Sequence, residues 1–500
     1  MRTRIALSIR RALLAAGPDS ALLAAYRSLR SLPLVRLGWR LVDPSADDLS
    51  VAAYEKKGGS FTPSLAHDHA GPSPELYQPG YFDHLLGAIA RTGAQYEPVE
   101  RRVVLVNNGL SAGGAERQIV YTLTGLKARG WDARFVGEYL HAAHGLDFHL
   151  PGLQGAGVAA DALTPLKPPL SQMYGSVTRE VADALSRLPP TMVFEILAMA
   201  DHLRAQRPQV LHLWQDETSI KHAISGLIAG APQIILSGRN LNPTHFAYHR
   251  EHMRAGYQAL ANHPRVTLSN NSQAGADSYA RWLGIDPALI RVVRNGVDTA
   301  RWSSRSDADR HAWRQAHGID AHARVVVGVF RLADEKRPLL WLDTAAQARG
   351  PKDAFVLIGD GPLRKQVDGH IAARGLQDCV LRLGEVADVA SALAAADAFM
   401  LASAQEGLPN VLLEAQWYGL PCLTTNAGGA AEAVLEGATG VVADTDDAKV
   451  LGAALANLLA DPGLARTARE QGPAFVQRAF GLDRMLDETE RLYETGQDRA

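Results

Sequence analysis

The residues best suited to chemistry in this 500-residue chain stand in four short constellations rich in glycine or charge. In Glu406-Gly407-Leu408-Pro409-Asn410-Val411-Leu412-Leu413-Glu414, two acids bracket a mostly apolar run. Glu406 lies just past Phe399-Met400-Leu401, Gly407 permits a tight turn, and Pro409 suits a first helical turn. Glu414 falls about one turn into that helix on an otherwise apolar side, where a carboxylate is costly without donors. A pair of sugar hydroxyls would supply them; a structural ion pair would do so too. Free N–H groups near Gly407 to Asn410 can hold phosphate. In Arg331-Leu332-Ala333-Asp334-Glu335-Lys336-Arg337-Pro338, Arg331 and Lys336 suit a diphosphate, the arginine as a fork and the lysine as a point charge. A solvated, charged helix start is the plainer reading of the same residues. Ser111-Ala112-Gly113-Gly114-Ala115-Glu116 puts two glycines before a helix start, where backbone can approach an anion closely. It is not the G-x-G-x-x-G dinucleotide pattern. Arg294-Asn295-Gly296-Val297-Asp298 reads first as a turn.

Such residues work only where elements bring them together, and the hydrophobic pattern supplies those elements. Val103-Val104-Leu105-Val106 is a short apolar run of the kind buried on both faces of a parallel sheet. A helix is expected from Gly114 to Arg129, capped by Gly130, and a strand over Asp132 to Gly137. Further strands are expected at 210–214, 233–237, 265–269 and 290–294. A second series runs from Ala323, with strands at 325–330, 354–358, 379–383, 398–402 and 421–424 and helices between them. Each constellation falls after a strand, where ligands of open α/β sheets sit. The polar stretch Asp298 to Ala323 reads as a hinge. The expected domains are 1–100 (basic helical extension and linker), 101–297 and 298–480 (Rossmann-like), and 481–500 (final helix).

Composition closes off other classes. With 47% hydrophobic and 21% charged residues and a net charge of -2, the chain reads as soluble and globular, without the basic excess that nucleic acid calls for. Two cysteines, Cys379 and Cys422, make no disulfide framework and suit a reducing compartment. No apolar run reaches a membrane span's length of about 18 residues. Residues 1–42 hold eight arginines, no lysine and one acid, which fits either an amphipathic helix on an anionic membrane or a packed helical cap. The stretch 43–100 reads as an irregular linker. Asp307-Ala308-Asp309 and Asp444-Thr445-Asp446 mimic metal-binding acid pairs but stand away from the first strand-to-loop step, and His245, His249 and His252 lack the His-Glu-x-x-His pattern. No metal site is expected from either set.

In their order and spacing, Gly113-Gly114-Ala115-Glu116-Arg117, Asn295-Gly296-Val297-Asp298, Arg331 with Lys336, Gly359-Asp360-Gly361-Pro362-Leu363, and Glu406 with Glu414 resemble family 4 of the retaining GT-B glycosyltransferases. The likeness runs from about Val103 to Tyr493 and leaves out the first hundred residues. It implies an α/β, GT-B architecture: two Rossmann-like domains with parallel sheets facing a central cleft, here with an N-terminal helical extension. It implies transfer of a sugar from a UDP- or GDP-sugar to a hydroxyl of an oligosaccharide or lipid-linked acceptor, without metal or other cofactor. Surface polysaccharide or glycolipid synthesis in the cytoplasm, on the inner face of the membrane, is the setting it suggests. By the same resemblance Glu406 is the catalytic acid facing the sugar, Arg331 and Lys336 bind the diphosphate, and Glu414 binds the ribose. Gly113 and Gly114 approach the donor from the first domain; Gly407, Leu408 and Asn410 line it, and Gly384 borders the base. Many relatives carry a histidine after the strand matching Ile234 to Ser237; here Arg239 stands at that place, set to touch a charged sugar or phosphate, or simply to pair with an acid. An epimerase or phosphorylase of the same fold, and a nucleotide-sugar-binding scaffold without turnover, are the rival readings.

Overall fold

The computed structural model describes residues 80–142, 145–163, 173–246, 248–250, 252–302 and 306–495. The basic stretch 1–42 and its expected membrane contact lie outside them. Both sheets lie in one compact unit, which spans the described residues of 80–185 and 194–495.

Part of the stretch expected as linker is helix α1 (Tyr81–Ala90). Tyr81, Phe82, Leu85, Leu86, Ala88 and Ile89 recur at helical spacing and are buried. The Tyr81 hydroxyl donates to the Ala184 carbonyl at 3.0 Å. Pro79 and Gly80 precede this period and Gly93 follows it, and Gly87 within the helix does not break it.

The first lobe is a parallel sheet of seven strands: β1 (Val99–Asn107), β2 (Asp132–Gly137), β3 (Ala159–Ala162), β4 (Pro208–Trp214), β5 (Gln233–Gly238), β6 (Val266–Asn270) and β7 (Ile290–Val292). Their order, β3-β2-β1-β4-β5-β6-β7, reverses direction between β1 and β4. Helices α2 (Gly114–Ala128), α3 (Asp216–Ala229) and α4 (Gln273–Leu283) follow β1, β4 and β6. Val103 to Val106 are wholly buried, as continuous apolar runs in parallel sheets are.

The second lobe is a six-stranded parallel sheet: β8 (Val325–Val329), β9 (Ala354–Ile358), β10 (Val380–Gly384), β11 (Ala398–Leu401), β12 (Cys422–Thr425) and β13 (Gly440–Ala443), in the order β10-β9-β8-β11-β12-β13. It reverses between β8 and β11. Both cysteine thiols are free, and Cys422 is buried in this lobe's core.

The stretch expected as a hinge contains helix α5 (Asp307–Ala316), which packs on the second lobe. Ser306 and Asp309 form its capping box, and the buried Arg314 reaches Asp397 at 2.7 Å and the Ala395 carbonyl. The polar surface that suggested a hinge is this helix's solvent face. The crossing lies earlier: Val297 N–H donates to the Phe480 carbonyl at 2.7 Å and Val297 pairs with Gly481. Helix α6 (Asn410–Trp417) follows β11, and α7 (Pro462–Phe480) leads to Gly481 and α8 (Leu482–Thr495). Helix α8 returns to the first lobe, where Leu486 and Tyr493 join Leu105, Ile119 and Trp131 in one core. Gly125 makes room for it: a Cβ there would lie 2.4 Å from Leu486 Cδ1.

Candidate active site

At the β8/β11 reversal, two strand-end loops bring opposite charges together. The loop after β8 makes a 3-10 turn (Asp334–Lys336), and Lys336 Nζ donates to Glu406 Oε1 at 2.5 Å. Ser403 Oγ donates to the same oxygen at 2.6 Å, and Glu406 is 5% exposed. Arg337 takes φ 48, an uncommon conformation for a non-glycine residue, and its guanidinium donates to the Ala402 and Ser403 carbonyls at 2.7 and 2.6 Å. That clamp fixes the loop carrying Ser403 and Glu406. Arg331 is exposed at the same edge, and its side chain has no hydrogen-bond or ion-pair partner among the described residues. Gly384 ends β10 with φ 69, and open space surrounds the position of its missing Cβ. Gly359 packs against the Phe330 carbonyl, 2.0 Å from where a Cβ would stand.

Other contacts cross to the first lobe. Glu414 is 3% exposed and ion-paired to Arg117 of α2. Burial pushes the Glu414 carboxyl up, and Arg117 pulls it back toward the charged form. Asn410 donates to the Gly114 carbonyl at 3.1 Å, and its Oδ1 accepts from Asn295 Nδ2 at 2.8 Å. Asn295 also donates to the Leu408 carbonyl at 3.0 Å. Gln118 holds both the N–H and the carbonyl of Gly296, at 2.9 and 2.8 Å. Gly407 meets the first lobe closely: a Cβ would lie 2.3 Å from the Arg239 carbonyl oxygen. Glu432 accepts from the N–H groups of Gln273 and Ala274 at the start of α4, at 3.1 and 2.8 Å, and pairs with Arg294 at 3.0 Å.

On the first lobe's side, Gly113 opens α2, and a Cβ there would strike Glu116, whose side chain folds back over the turn. Glu116 is buried and accepts from Gln215 Nε2 at 3.2 Å; burial pushes its carboxyl up, while hydrogen bonds from its own backbone, Gln215, Ser111 and Asn107 oppose that. Arg239 follows β5. Its guanidinium lies 3.8 Å over the Trp214 ring and donates to Asn295 Oδ1 at 2.6 Å, while Nε is enclosed without a partner. Burial pulls it down to about 9, with Glu116 working in the other direction.

The structure thus gathers Lys336, Glu406, Gly407, Leu408, Asn410 and Glu414 at the reversal, with Gly113, Gly114 and Arg239 facing them across the cleft. Glu414, read as a partner of ribose hydroxyls or as half of a structural ion pair, is here paired with an arginine from the opposite lobe. Sequence reasoning held Glu116, Arg117, Asn295 and Arg337 within its constellations without giving them a role, and it did not single out Gln118 or Ser403. Asn295 read as a turn residue because Asn-Gly is a turn signal; its partners on the second lobe lie more than a hundred residues away. The three histidines do not share a helix: His245 ends a 3-10 turn and His252 begins the next helix. Among the described residues, no group of three His, Cys, Asp or Glu side chains could hold a metal ion, and no helix is long and apolar enough to cross a membrane.

Comparison with known proteins places this geometry. Residues 309–475 match the model described as glycosyl transferases group 1, and residues 112–301 match that of glycosyltransferase family 4. The Vi polysaccharide biosynthesis protein VipC/TviE of Salmonella typhi is 34% identical over 309 residues, 60% of this chain and 54% of that one. A UDP-Gal:alpha-D-GlcNAc-diphosphoundecaprenol alpha-1,3-galactosyltransferase of Escherichia coli is 26% identical over 47% of this chain and 62% of its own. The matches thus cover little more than half of these relatives. Among solved structures, Anabaena HepE in complex with UDP-glucose superposes with a TM-score of 0.65 at 21% identity, over 79% of this chain and 99% of that one. Sucrose-phosphate synthase from Thermosynechococcus elongatus gives 0.60 at 19%, over 80% and 100%. These likenesses establish the GT-B fold.

Proposed function

This chain belongs to the group 1, family 4 glycosyltransferases, and from that premise we propose that it transfers a sugar from a nucleoside diphosphate donor to a hydroxyl acceptor with retention of anomeric configuration. The observation that carries the reading is the meeting of Lys336, Ser403 and Glu406 where the second sheet reverses, beside an unpartnered Arg331. Open α/β sheets take their ligands at that reversal.

In this reading the diphosphate lies against Arg331 and Lys336, and their charge and the uncapped start of α6 offset the charge of the leaving group without a metal ion. Glu406 faces the sugar ring and stabilises positive charge as the bond from C1 to the phosphate oxygen breaks. The acceptor oxygen forms the new bond to C1 from the same face, and its proton passes to the leaving phosphate. Glu414 holds the ribose hydroxyls once Arg117 has been displaced. The carbohydrate acceptor enters from the first lobe. The names of the Salmonella and Escherichia relatives support a polyprenyl-linked or growing surface polysaccharide as its source, on the cytoplasmic face of the membrane.

The test is a thermal-shift panel of UDP, GDP, ADP and their sugars, followed by donor hydrolysis and product analysis. Stabilisation by one nucleotide family and release of that nucleotide from its sugar are expected. No shift and no hydrolysis with any of them would defeat the reading.

A further inference from the structure

The second lobe caps a helix of the first. Glu432, in the 3-10 turn Gly428–Ala433 after β12, gives both carboxylate oxygens to the other lobe. Its Oε1 accepts from the Ala274 N–H at 2.8 Å, and its Oε2 accepts from the Gln273 N–H at 3.1 Å and from Arg294 Nη2 at 3.0 Å. Ser272 caps the same helix, α4, from within, its hydroxyl accepting from the Gly275 N–H at 3.0 Å. Two N–H groups that a helix start leaves free are therefore satisfied across the cleft. Neither Glu432 nor its partners are among the groups assigned to the diphosphate, the sugar or the ribose.

The turn that carries Glu432 also lies against the loop of the acid assigned to the sugar. Gly429 N–H donates to the Glu406 carbonyl at 3.3 Å. A Cβ on Gly429 would collide with the Gly407 carbonyl oxygen and stand 2.8 Å from Ser272 Cβ. One on Gly428, at φ 57, would collide with the Glu406 carbonyl oxygen and stand 2.9 Å from Leu241 Cδ2. The two glycines thus sit between the backbone of Glu406 and Gly407 on one side and the first lobe on the other, a close approach that side chains would prevent.

The contact is of a strength that can be made and broken. The Glu432 side chain is 19% exposed and that of Arg294 37%, so water replaces either partner when the lobes part. The ion pair alone contributes little, and the two N–H donors at a helix start add to it.

We propose that Glu432 is a positioning residue, a latch that holds the lobes closed through the start of α4 and Arg294 and so seats Gly428 and Gly429 against the backbone of Glu406. The inference rests on the transferase reading for what Glu406 does, and it names the contact that keeps that acid in place during transfer. Opening breaks the latch without touching the groups that hold the nucleotide, so its loss acts on turnover and not on affinity.

The test uses the full chain with UDP or GDP, whichever stabilises it, and the matching sugar donor. Glu432→Gln and Arg294→Gln are each expected to lower kcat about three- to tenfold, with affinity for the nucleoside diphosphate within about twofold of wild type. The double variant is expected to lose little more than either single one, because both changes strike one contact. Raising potassium chloride from about 0.05 to about 0.5 M should lower the wild-type kcat more steeply than that of Glu432→Gln, a difference that a merely structural glutamate does not produce. Amide hydrogen exchange over residues 273–275 reads the latch without turnover and is expected to be faster in both variants. Wild-type kcat in Glu432→Gln, full additivity in the double variant, equal salt slopes or unchanged exchange overturns the assignment. If Glu432→Gln melts below the assay temperature, Arg294→Gln, changed at the more exposed partner, decides by the same readings. Absence of turnover in the wild type defeats the transferase reading instead, and the exchange measurement then still decides the latch.

Discussion

The two sheets reverse strand order in the same way, yet they furnish their reversal points differently. In the second lobe, Lys336, Ser403 and Glu406 satisfy one another, and Arg337 ties their loops together. That half of the site is built within its own lobe. In the first lobe, the groups after β1 and β7 look outward for partners: Arg117 to Glu414, Gln118 to Asn410, and Asn295 to Leu408. Two residues with uncommon positive φ mark these loops, Arg337 at 48° and Gln215 at 66°, strain of the kind that persists where surrounding contacts hold it. The difference teaches that one lobe holds its reversal-point groups through its own contacts, while the other holds its groups through contacts across the cleft.

The largest test of that contrast removes the acid of the half held by its own contacts. Glu406→Ala should lower turnover by about a hundred- to a thousandfold, with nucleotide affinity changed far less, in steady-state kinetics beside calorimetry. Turnover at the wild-type level would contradict its role. Next comes closure. In Gly407→Ala the new Cβ meets the Arg239 carbonyl, so the lobes cannot approach as closely. Turnover should fall about ten- to a hundredfold with nucleotide affinity retained, and small-angle scattering should report a more open molecule.

A smaller effect concerns the pair that spans the cleft. Arg117→Ala should tighten nucleotide binding about two- to fivefold near pH 8, because the ribose no longer competes with the guanidinium for Glu414. The same change removes the charge that pulls the raised Glu414 carboxyl downward, so the acid limb of the pH–rate profile should move to higher pH. An unmoved limb together with unchanged affinity would separate Glu414 from the ribose. The smallest effect lies outside the site. His212, buried between Tyr493 and Ser237 with 2.8 Å contacts to each, is pushed down by burial from 6.5 to about 3. The unfolded chain therefore binds the proton first, and this stability contribution, full above pH 6.5, is lost as pH falls toward 3. Melting temperature should fall less steeply over that window in His212→Asn than in the wild type.

The contrast between the lobes also explains what could be read from the sequence. Central strands announced themselves, since Val103 to Val106 and Val325 to Val329 are continuous apolar runs covered on both faces. Two of the four edge strands did not, although β7 and β10 did: β3 is Ala-Ala-Asp-Ala, which carries no pattern of its own, and β13 is only four residues long. Helix α1 hid among prolines and glycines that bound it. The second lobe's charges were legible because each follows its strand within a few residues. Gly113, Gly114 and Arg239 of the first lobe were legible too, but the pairing across the cleft was not, because Arg117 and Glu414 are 297 residues apart in sequence and only the folded chain joins them. Asn295 shows the same limit: a turn signal by local chemistry, it is a junction by tertiary contact.

The central claim is that the second lobe's reversal point holds the donor diphosphate through its own cations. Calorimetric titration of UDP and of GDP into the wild type, Gly407→Ala and Lys336→Ala tests it most directly. The account predicts that one of the two nucleotides binds the first two proteins within about twofold of each other and binds Lys336→Ala at least about tenfold more weakly. Undiminished binding by Lys336→Ala would contradict it.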